Sequence, residues 1–330
     1  MIRGGAFARA GLLGNPSDNY HGKVLAVAVR NFRAEVTLRE SPRLVFVPPA
    51  EEGPGYGSFE DFVSRTKLYG YYGGTRLVQA AAKTFFEWCL DNGVRLPVRN
   101  FALTYETDIP RQVGLGGSSA LVTAAFRALT SFYGIAIPVE RLPSLILKSE
   151  KEELDINAGY MDRVVQVYEG LVYMDLDEAL FRERGYGRYE SLDPALLPSL
   201  YLAYKPSLGK VSGRVLSEMY VRHRDGDPVV REGIRKIGSL AEKGREALLA
   251  GDRRTFARLM NENFDLRRSL LTINPANLEM IETARSCGAS AKFAGSGGSI
   301  VGAYAGEEMF RRLEAALGRL GAVVLKPKVQ

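Results

Sequence analysis

The run Ile109-Pro110-Arg111-Gln112-Val113-Gly114-Leu115-Gly116-Gly117-Ser118-Ser119-Ala120 constrains this chain more than any other stretch. It follows an alternating segment at 101–107 that reads as a strand. It opens an apolar segment, to about residue 132, that reads as a helix. Its glycines let the backbone approach a ligand with no side chain in the way. Ser118 and Ser119 stand where the helix starts, where free amides and the positive end of the helix dipole attract phosphate. The run is not a Walker A loop, since no Gly-Lys pair in the chain is followed by Ser or Thr. Nor is it the dinucleotide fingerprint, because Ser119 stands where the third glycine belongs. Taken alone, such a turn is as often a capped helix start as a ligand site.

The rest of the chain alternates strands and helices. Residues 6–13, 24–29 and 34–38 read as strands, and 48–57, rich in Pro, Gly and Glu, as a surface loop. A helix over 75–90 shows an apolar stripe at Leu77, Ala81, Phe85 and Trp88, closed by Asn92-Gly93. Helices over 139–153 and 158–167 precede a strand at 171–176. The polar stretch 177–193 reads as a connection between halves. A strand at 200–204, helices over 212–286, strands at 291–293 and 300–304 around a second glycine turn, a helix over 307–317 and a strand at 322–325 complete the chain. With 330 residues there is room for two domains, 1–180 and 181–330, of the α+β class with a cleft between them.

Composition removes several function classes. Two cysteines, Cys89 and Cys287, make neither a disulfide framework nor a metal motif, and two histidines cannot build a His-rich zinc site. No apolar run is long enough to span a bilayer, and no signal-peptide pattern opens the chain, so a cytoplasmic protein is expected. The net charge of +6 suits an anionic ligand, but the arginines are dispersed among acids, without the patch that nucleic acid requires.

Two more glycine-bearing motifs flank the central one. Ala8-Arg9-Ala10-Gly11-Leu12-Leu13-Gly14-Asn15-Pro16-Ser17-Asp18 lies near the start, and Lys292-Phe293-Ala294-Gly295-Ser296-Gly297-Gly298 near the end. In this order the three resemble the motifs of the galactokinase–homoserine kinase–mevalonate kinase–phosphomevalonate kinase (GHMP) superfamily. The resemblance implies a two-domain α+β kinase fold, with a ribosomal S5 domain 2-like N-terminal half, a ferredoxin-like C-terminal half and the active site in the cleft. It implies ATP bound by Gly114, Leu115, Gly116, Gly117, Ser118, Ser119 and Ala120. It further implies Mg²⁺ held by Ser119 and Glu150, Asp162 as catalytic base, and Arg9 stabilising charge on the transferred phosphoryl group. By themselves these residues have plainer readings. Glu150 sits in the charge run Lys148 to Glu153, which reads as a solvated helix face. Asp162 is a helix-start carboxylate beside Arg163. Arg9 is a cation in an apolar strand and needs a partner.

The acceptor side departs from galactokinases. Their Gly-Glu-His-Thr-Asp-Tyr is here Gly14-Asn15-Pro16-Ser17-Asp18-Asn19-Tyr20. This variant is similar to plant-type glucuronokinases, as are Gly70-Tyr71-Tyr72-Gly73-Gly74, Asp162 to Tyr168 and Asn263 to Arg268. The implied reaction is ATP-dependent phosphorylation of D-glucuronate to its 1-phosphate. Other substrates of the superfamily remain open (galacturonate, galactose, mevalonate), as does a non-catalytic sensor on the same fold. Acceptor contacts are expected from Asn15, Asp18, Tyr72, Gly295, Ser296 and Gly297. For the substrate carboxylate, Arg267 or Arg268 is favoured, with Arg111 a further candidate. The expected partners are ATP and a sugar acid, with neither nucleic acid nor membrane, on a monomer or homodimer.

Overall fold

A computed structural model describes residues 1–53, 55–208 and 212–330, together with all their side chains except those of 212–217. Pro54, within the expected loop at 48–57, lies outside the described residues. Among the described residues the strands form two sheets, of six and four strands.

The chain opens as a long hairpin, β1 (Ile2–Leu13) against β2 (Lys23–Ser41), paired antiparallel from Ile2 opposite Leu38 to Leu13 opposite Leu25. Sequence patterning divides the second arm into two strands. The structure joins them through Arg30-Asn31-Phe32-Arg33, where the register shifts and the apolar pattern is interrupted. After β3 (Val45–Val47), α1 (Phe59–Tyr69) and α2 (Thr75–Asp91), β4 (Asn100–Thr107) pairs with the second half of β2. The glycine run then leads into α3 (Gly117–Tyr133), a helix buried on nearly every side between β1, β2 and α2. Its approach to β1 requires glycine at position 4, where a Cβ would stand 2.2 Å from Ala124 O.

Two further helices, α4 (Leu142–Lys151) and α5 (Tyr160–Tyr168), pack beside α3, and β5 (Leu171–Asp175) pairs with the first half of β2. The stretch 177–193 is more than a connection. Asp177 caps α6 (Glu178–Arg184), and β6 (Arg188–Leu192) pairs with β5. Its polar composition is that of an exposed edge strand. The first sheet therefore continues to Leu192, past the division expected at 180.

The second sheet is antiparallel throughout. After β7 (Leu200–Tyr204) come four helices: α7 (Ser212–Arg224), α8 (Pro228–Leu249), α9 (Arg253–Leu270) and α10 (Pro275–Ser286). Asp227, Asp252 and Asn274 cap the last three by accepting first-turn N–H groups. The chain ends with β8 (Lys292–Phe293), β9 (Ser299–Ala303), α11 (Gly306–Arg319) and β10 (Val323–Leu325). Both α8 and α9 pack on each other and on β1, which binds the two halves together. No helix among the described residues is long and apolar enough to cross a membrane.

Candidate active site

The middle of β1 is where the three motifs meet. Arg9 N–H donates to Leu115 O at 3.1 Å, and Gly11 N–H donates to Ala294 O at 2.7 Å. The two glycine turns also touch each other, since a Cβ on Gly295 would stand 2.2 Å from Gly114 O. A cleft of about 430 Å³ opens over this junction.

One end of the cleft has the features of an anion site. Gly114 and Gly116 hold left-handed backbone, φ +73° and +75°. Gly116 precedes α3 and supplies no side-chain cap, so first-turn amides are offered to a ligand. Beside them Arg9 forks onto Asp162, with Nε 2.6 Å from Oδ1 and Nη2 2.7 Å from Oδ2. Burial raises the Asp162 carboxyl, but Arg9 and Arg163 outweigh it and hold it below the usual carboxylate range. Glu150 is fully buried and does not line the cleft. Arg163 grips its Oε2 through Nε at 2.8 Å and through Nη2. The hydroxyl facing Glu150 is that of Ser118, which donates to Oε1 at 3.0 Å. Ser119, expected to share a metal with Glu150, is buried, with its hydroxyl 3.0 Å from Gly116 O and 3.5 Å from Asp162 Oδ2. Ala120 is likewise buried beneath the turn. Hydroxyl and carboxylate oxygens are the hard donors that Mg²⁺ takes, so Ser118 and Glu150 fit that ion by donor type.

The other end is built differently. Asp18 Oδ2 accepts Met161 N–H at 3.2 Å and so caps α5. Burial and the neighbouring Asp162 push its carboxyl up to about 6. Asn15 lines the cleft, but its Oδ1 accepts from Lys292 Nζ at 2.6 Å. The same ammonium donates to Gly11 O and Phe293 O, and burial with Arg267 and Arg9 nearby lowers it well below an ordinary lysine. On α9 the inward face is Phe256, Met260, Asn263, Arg267 and Leu270, a helical period. Arg267 is therefore buried against the cleft, donating to Gly295 O at 2.8 Å and Ser296 O at 3.4 Å. Its neighbour Arg268 turns to solvent and pairs with Glu282 at 3.5 Å. Gly295 and Ser296 line the cleft, whereas Gly297 does not. Tyr72 is 74% exposed and is also off the cleft wall.

Both halves of the chain match known family models. Residues 76–170 match the GHMP kinases N terminal domain, and residues 245–321 match the GHMP kinases C terminal family. Glucuronokinase 1 of Arabidopsis thaliana is 44% identical over 302 residues, 90% of this chain and 83% of that protein. Probable glucuronokinase 2 of the same plant is 45% identical over 303 residues, 90% of this chain and 82% of that protein. The chain belongs to the GHMP kinase family. Solved structures share the fold at low identity. Streptococcus pneumoniae phosphomevalonate kinase superposes with a TM-score of 0.77 at 16% identity, covering 99% of each chain. Lactococcus lactis galactokinase complexed with galactose gives 0.76 at 15%, covering 99% of this chain and 93% of that one.

Within this GHMP kinase, the cleft and the loops behind it also involve residues outside the three glycine-bearing motifs, Glu52, Met219 and Tyr220 among them. Arg111, a further candidate for the substrate carboxylate, lines the cleft with its Nη2 2.6 Å from Glu52 Oε1 and its guanidinium 4.3 Å from the Tyr69 ring centre. Glu52 comes from the expected surface loop, yet its side chain is 1% exposed. Its other oxygen accepts Gly74 N–H and Tyr105 OH, both at 2.6 Å. Gln112 reaches Leu68 O at 2.9 Å. Near the acceptor end, Met219 and Tyr220 of α7 line the cleft, and Tyr20 packs on His223 with ring centres 4.4 Å apart. The Pro/Gly/Glu-rich loop gives no sequence signal for Glu52, whose burial is visible only in the fold. Nothing in the sequence marks Tyr220, which arrives through tertiary packing.

Proposed function

We propose that this chain transfers the γ-phosphoryl group of ATP to the anomeric hydroxyl of D-glucuronate, giving D-glucuronate 1-phosphate and ADP. The observation that carries this reading is one cleft with an uncapped helix start at one end, a buried arginine without a carboxylate partner at the other, and the Arg9–Asp162 fork between them. The names of the two Arabidopsis relatives point to the same substrate.

The chemistry needs mainly position and charge. The amides before α3, with Gly114 and Gly116 leaving room, receive the phosphates. The acceptor hydroxyl lies against Asp162, whose ionised carboxylate accepts its hydrogen and aims its oxygen at phosphorus. A carboxylate held at low pKa is a weak base. It suffices because the ring oxygen already acidifies an anomeric hydroxyl, and bonding to phosphorus acidifies it further. As the new P–O bond forms and the bond to ADP breaks, Arg9 keeps its positive charge beside the transferring group. Ser118 and Glu150 would hold Mg²⁺, which, when bound, neutralises phosphate charge. Arg267 would face the substrate carboxylate and Asp18 its hydroxyls.

The test is ADP release with Mg·ATP over D-glucuronate, D-galacturonate, galactose, glucose and mevalonate, with Asp162→Ala as control. Turnover on glucuronate that the control abolishes is expected. Turnover confined to another acceptor would discard the uronate reading and keep the kinase.

A further inference from the structure

Asn15 lines the acceptor end of the cleft, although the residue is only 2% exposed. One end of its carboxamide is tied down. Lys292 Nζ lies 2.6 Å from it, and the same Nζ lies 2.6 Å from Gly11 O and 2.7 Å from Phe293 O. Three acceptors match the three hydrogens of an ammonium, which itself accepts nothing, so the Asn15 atom that meets Lys292 is the oxygen. The amide nitrogen is left for the cleft, and among the described residues Asn15 Nδ2 donates to no partner. Neighbours fix this pose. A Cβ on Gly11 would stand 2.9 Å from Asn15 Oδ1, so glycine leaves the room that the carboxamide fills. Asn263 holds the backbone on either side, accepting Gly14 N–H at 2.7 Å and donating to Asn15 O at 3.2 Å.

We propose that Asn15 is a specificity-determining residue for the acceptor and Lys292 its positioning residue. With its oxygen held by the buried ammonium, Asn15 offers the substrate only N–H and so favours an oxygen that bears no hydrogen, the carboxylate of a sugar acid. A carboxamide free to flip would serve either kind of group, donating to a carboxylate and accepting from a hydroxyl. Held by Lys292, it only donates, and an ionised oxygen makes the stronger bond with that N–H. Arg267 brings the charge at the same end of the cleft, and Asn15 adds a donor of fixed direction. This rests on the sugar-acid kinase reading proposed above.

The experiment is steady-state kinetics of the full chain on D-glucuronate, with the KM for ATP as internal control. Asn15→Ala removes the donor and should raise the glucuronate KM about tenfold, the worth of a hydrogen bond to a charged group. Asn15→Asp keeps one oxygen on Lys292 and turns a second toward the cleft. Its thermal melt should not fall below that of wild type. Its glucuronate KM should rise about 100-fold or more, because like charges then face each other. In both variants kcat should fall less than KM rises, and the ATP KM should hold. Lys292→Met should raise the glucuronate KM in the wild-type background and add nothing to Asn15→Ala, since it acts through Asn15. Equal glucuronate KM values in wild type, Asn15→Ala and Asn15→Asp would overturn this proposal alone. So would a parallel rise in the ATP KM, which marks a merely structural role. An additive effect of Lys292→Met would remove Lys292 from it. If Lys292→Met does not fold, the two Asn15 variants decide. Wild type that phosphorylates only neutral acceptors would overturn the sugar-acid reading and this proposal with it.

Discussion

At the phosphate end of the cleft each buried ion faces an opposite one, Arg9 against Asp162 and Arg163 against Glu150. At the acceptor end Asp18, Arg267 and Lys292 are equally buried, yet among the described residues none of them has an ion-pair partner within 4 Å. They are held by backbone and amide groups instead. Paired buried ions hold each other in place and break expensively, whereas buried ions without counter-charges carry a desolvation cost that an incoming ligand can relieve. The first end is therefore pre-assembled for chemistry, and the second is kept ready for a charged acceptor.

The sharpest way to break this contrast is to delete one ion at each end and compare stabilities. Glu150→Ala leaves Arg163 buried with only the longer contact to Asp162, at 3.8 Å, and should cost about 3–5 kcal/mol in urea unfolding. Arg267→Met removes a buried ion that has no carboxylate partner, so relief of its desolvation offsets part of the lost bonds to Gly295 O and Ser296 O, and the cost should stay below that of Glu150→Ala, at about 1–2 kcal/mol. Equal losses would mean that the two ends do not differ in the way described. On the catalytic side of the same end, Asp162→Asn keeps volume but not charge. It should lower kcat about 10²–10⁴-fold, with the acceptor KM little changed. A KM effect alone would make Asp162 a binding group.

The acceptor end has a pH signature of its own. The folded-state pKa of Asp18 is about 6, above the unfolded 3.8. The fold thus favours the protonated carboxyl. The resulting stability is fully present below the unfolded value and is lost as pH rises through about 6. A raise of that size corresponds to at most about 3 kcal/mol by linkage. Asp18→Asn should accordingly stabilise the protein at pH 8 and hardly at all near pH 4, as thermal melts at the two pH values would show. The same variant should bind the acceptor more weakly. In wild type the acceptor KM should rise as pH falls through about 6, while kcat persists to lower pH because Asp162 is held below the usual range. Parallel loss of kcat and KM would join the two carboxylates into one titrating unit.

Much of this contrast was legible in sequence on the phosphate side and little of it on the acceptor side. The glycine run, Arg9 and Asp162 carry local signals: turn chemistry, a cation in an apolar strand, and a helix start; Glu150 came only from the resemblance, since its charge run reads as a solvated helix face. Their partners were less visible. Which serine faces Glu150 depends on how α3 begins after left-handed Gly116, and spacing cannot show that. Tyr72, expected to contact the acceptor from the stretch Gly70 to Gly74, is mostly exposed. The wall residue Tyr220 comes from α7, far along the chain. The strand at 188–192 was hidden because an edge strand with polar faces has the composition of a loop.

Arg267 and Arg268 show how helix geometry separates two neighbours that sequence leaves equivalent. Successive helix positions point about 100° apart, so one of the two must leave the cleft. Arg268 does, and pairs with Glu282. Arg267 faces inward, and burial lowers it to about 10 although Asp18 and Tyr20 act to raise it. Its Nε has no hydrogen-bond partner, while its Nη atoms are already committed to the third motif's carbonyls. A substrate carboxylate would supply both the missing acceptor and the missing charge. Arg267→Lys keeps a positive charge but loses the fork that makes two aligned bonds. It should raise the KM for glucuronate about tenfold, roughly 1.4 kcal/mol, and leave kcat nearly unchanged. Any residual turnover on a neutral hexose should be unaffected, because no carboxylate is there to miss its partner. A uniform rise for charged and neutral acceptors would instead mean that Arg267 serves only to hold the turn at Gly295 and Ser296.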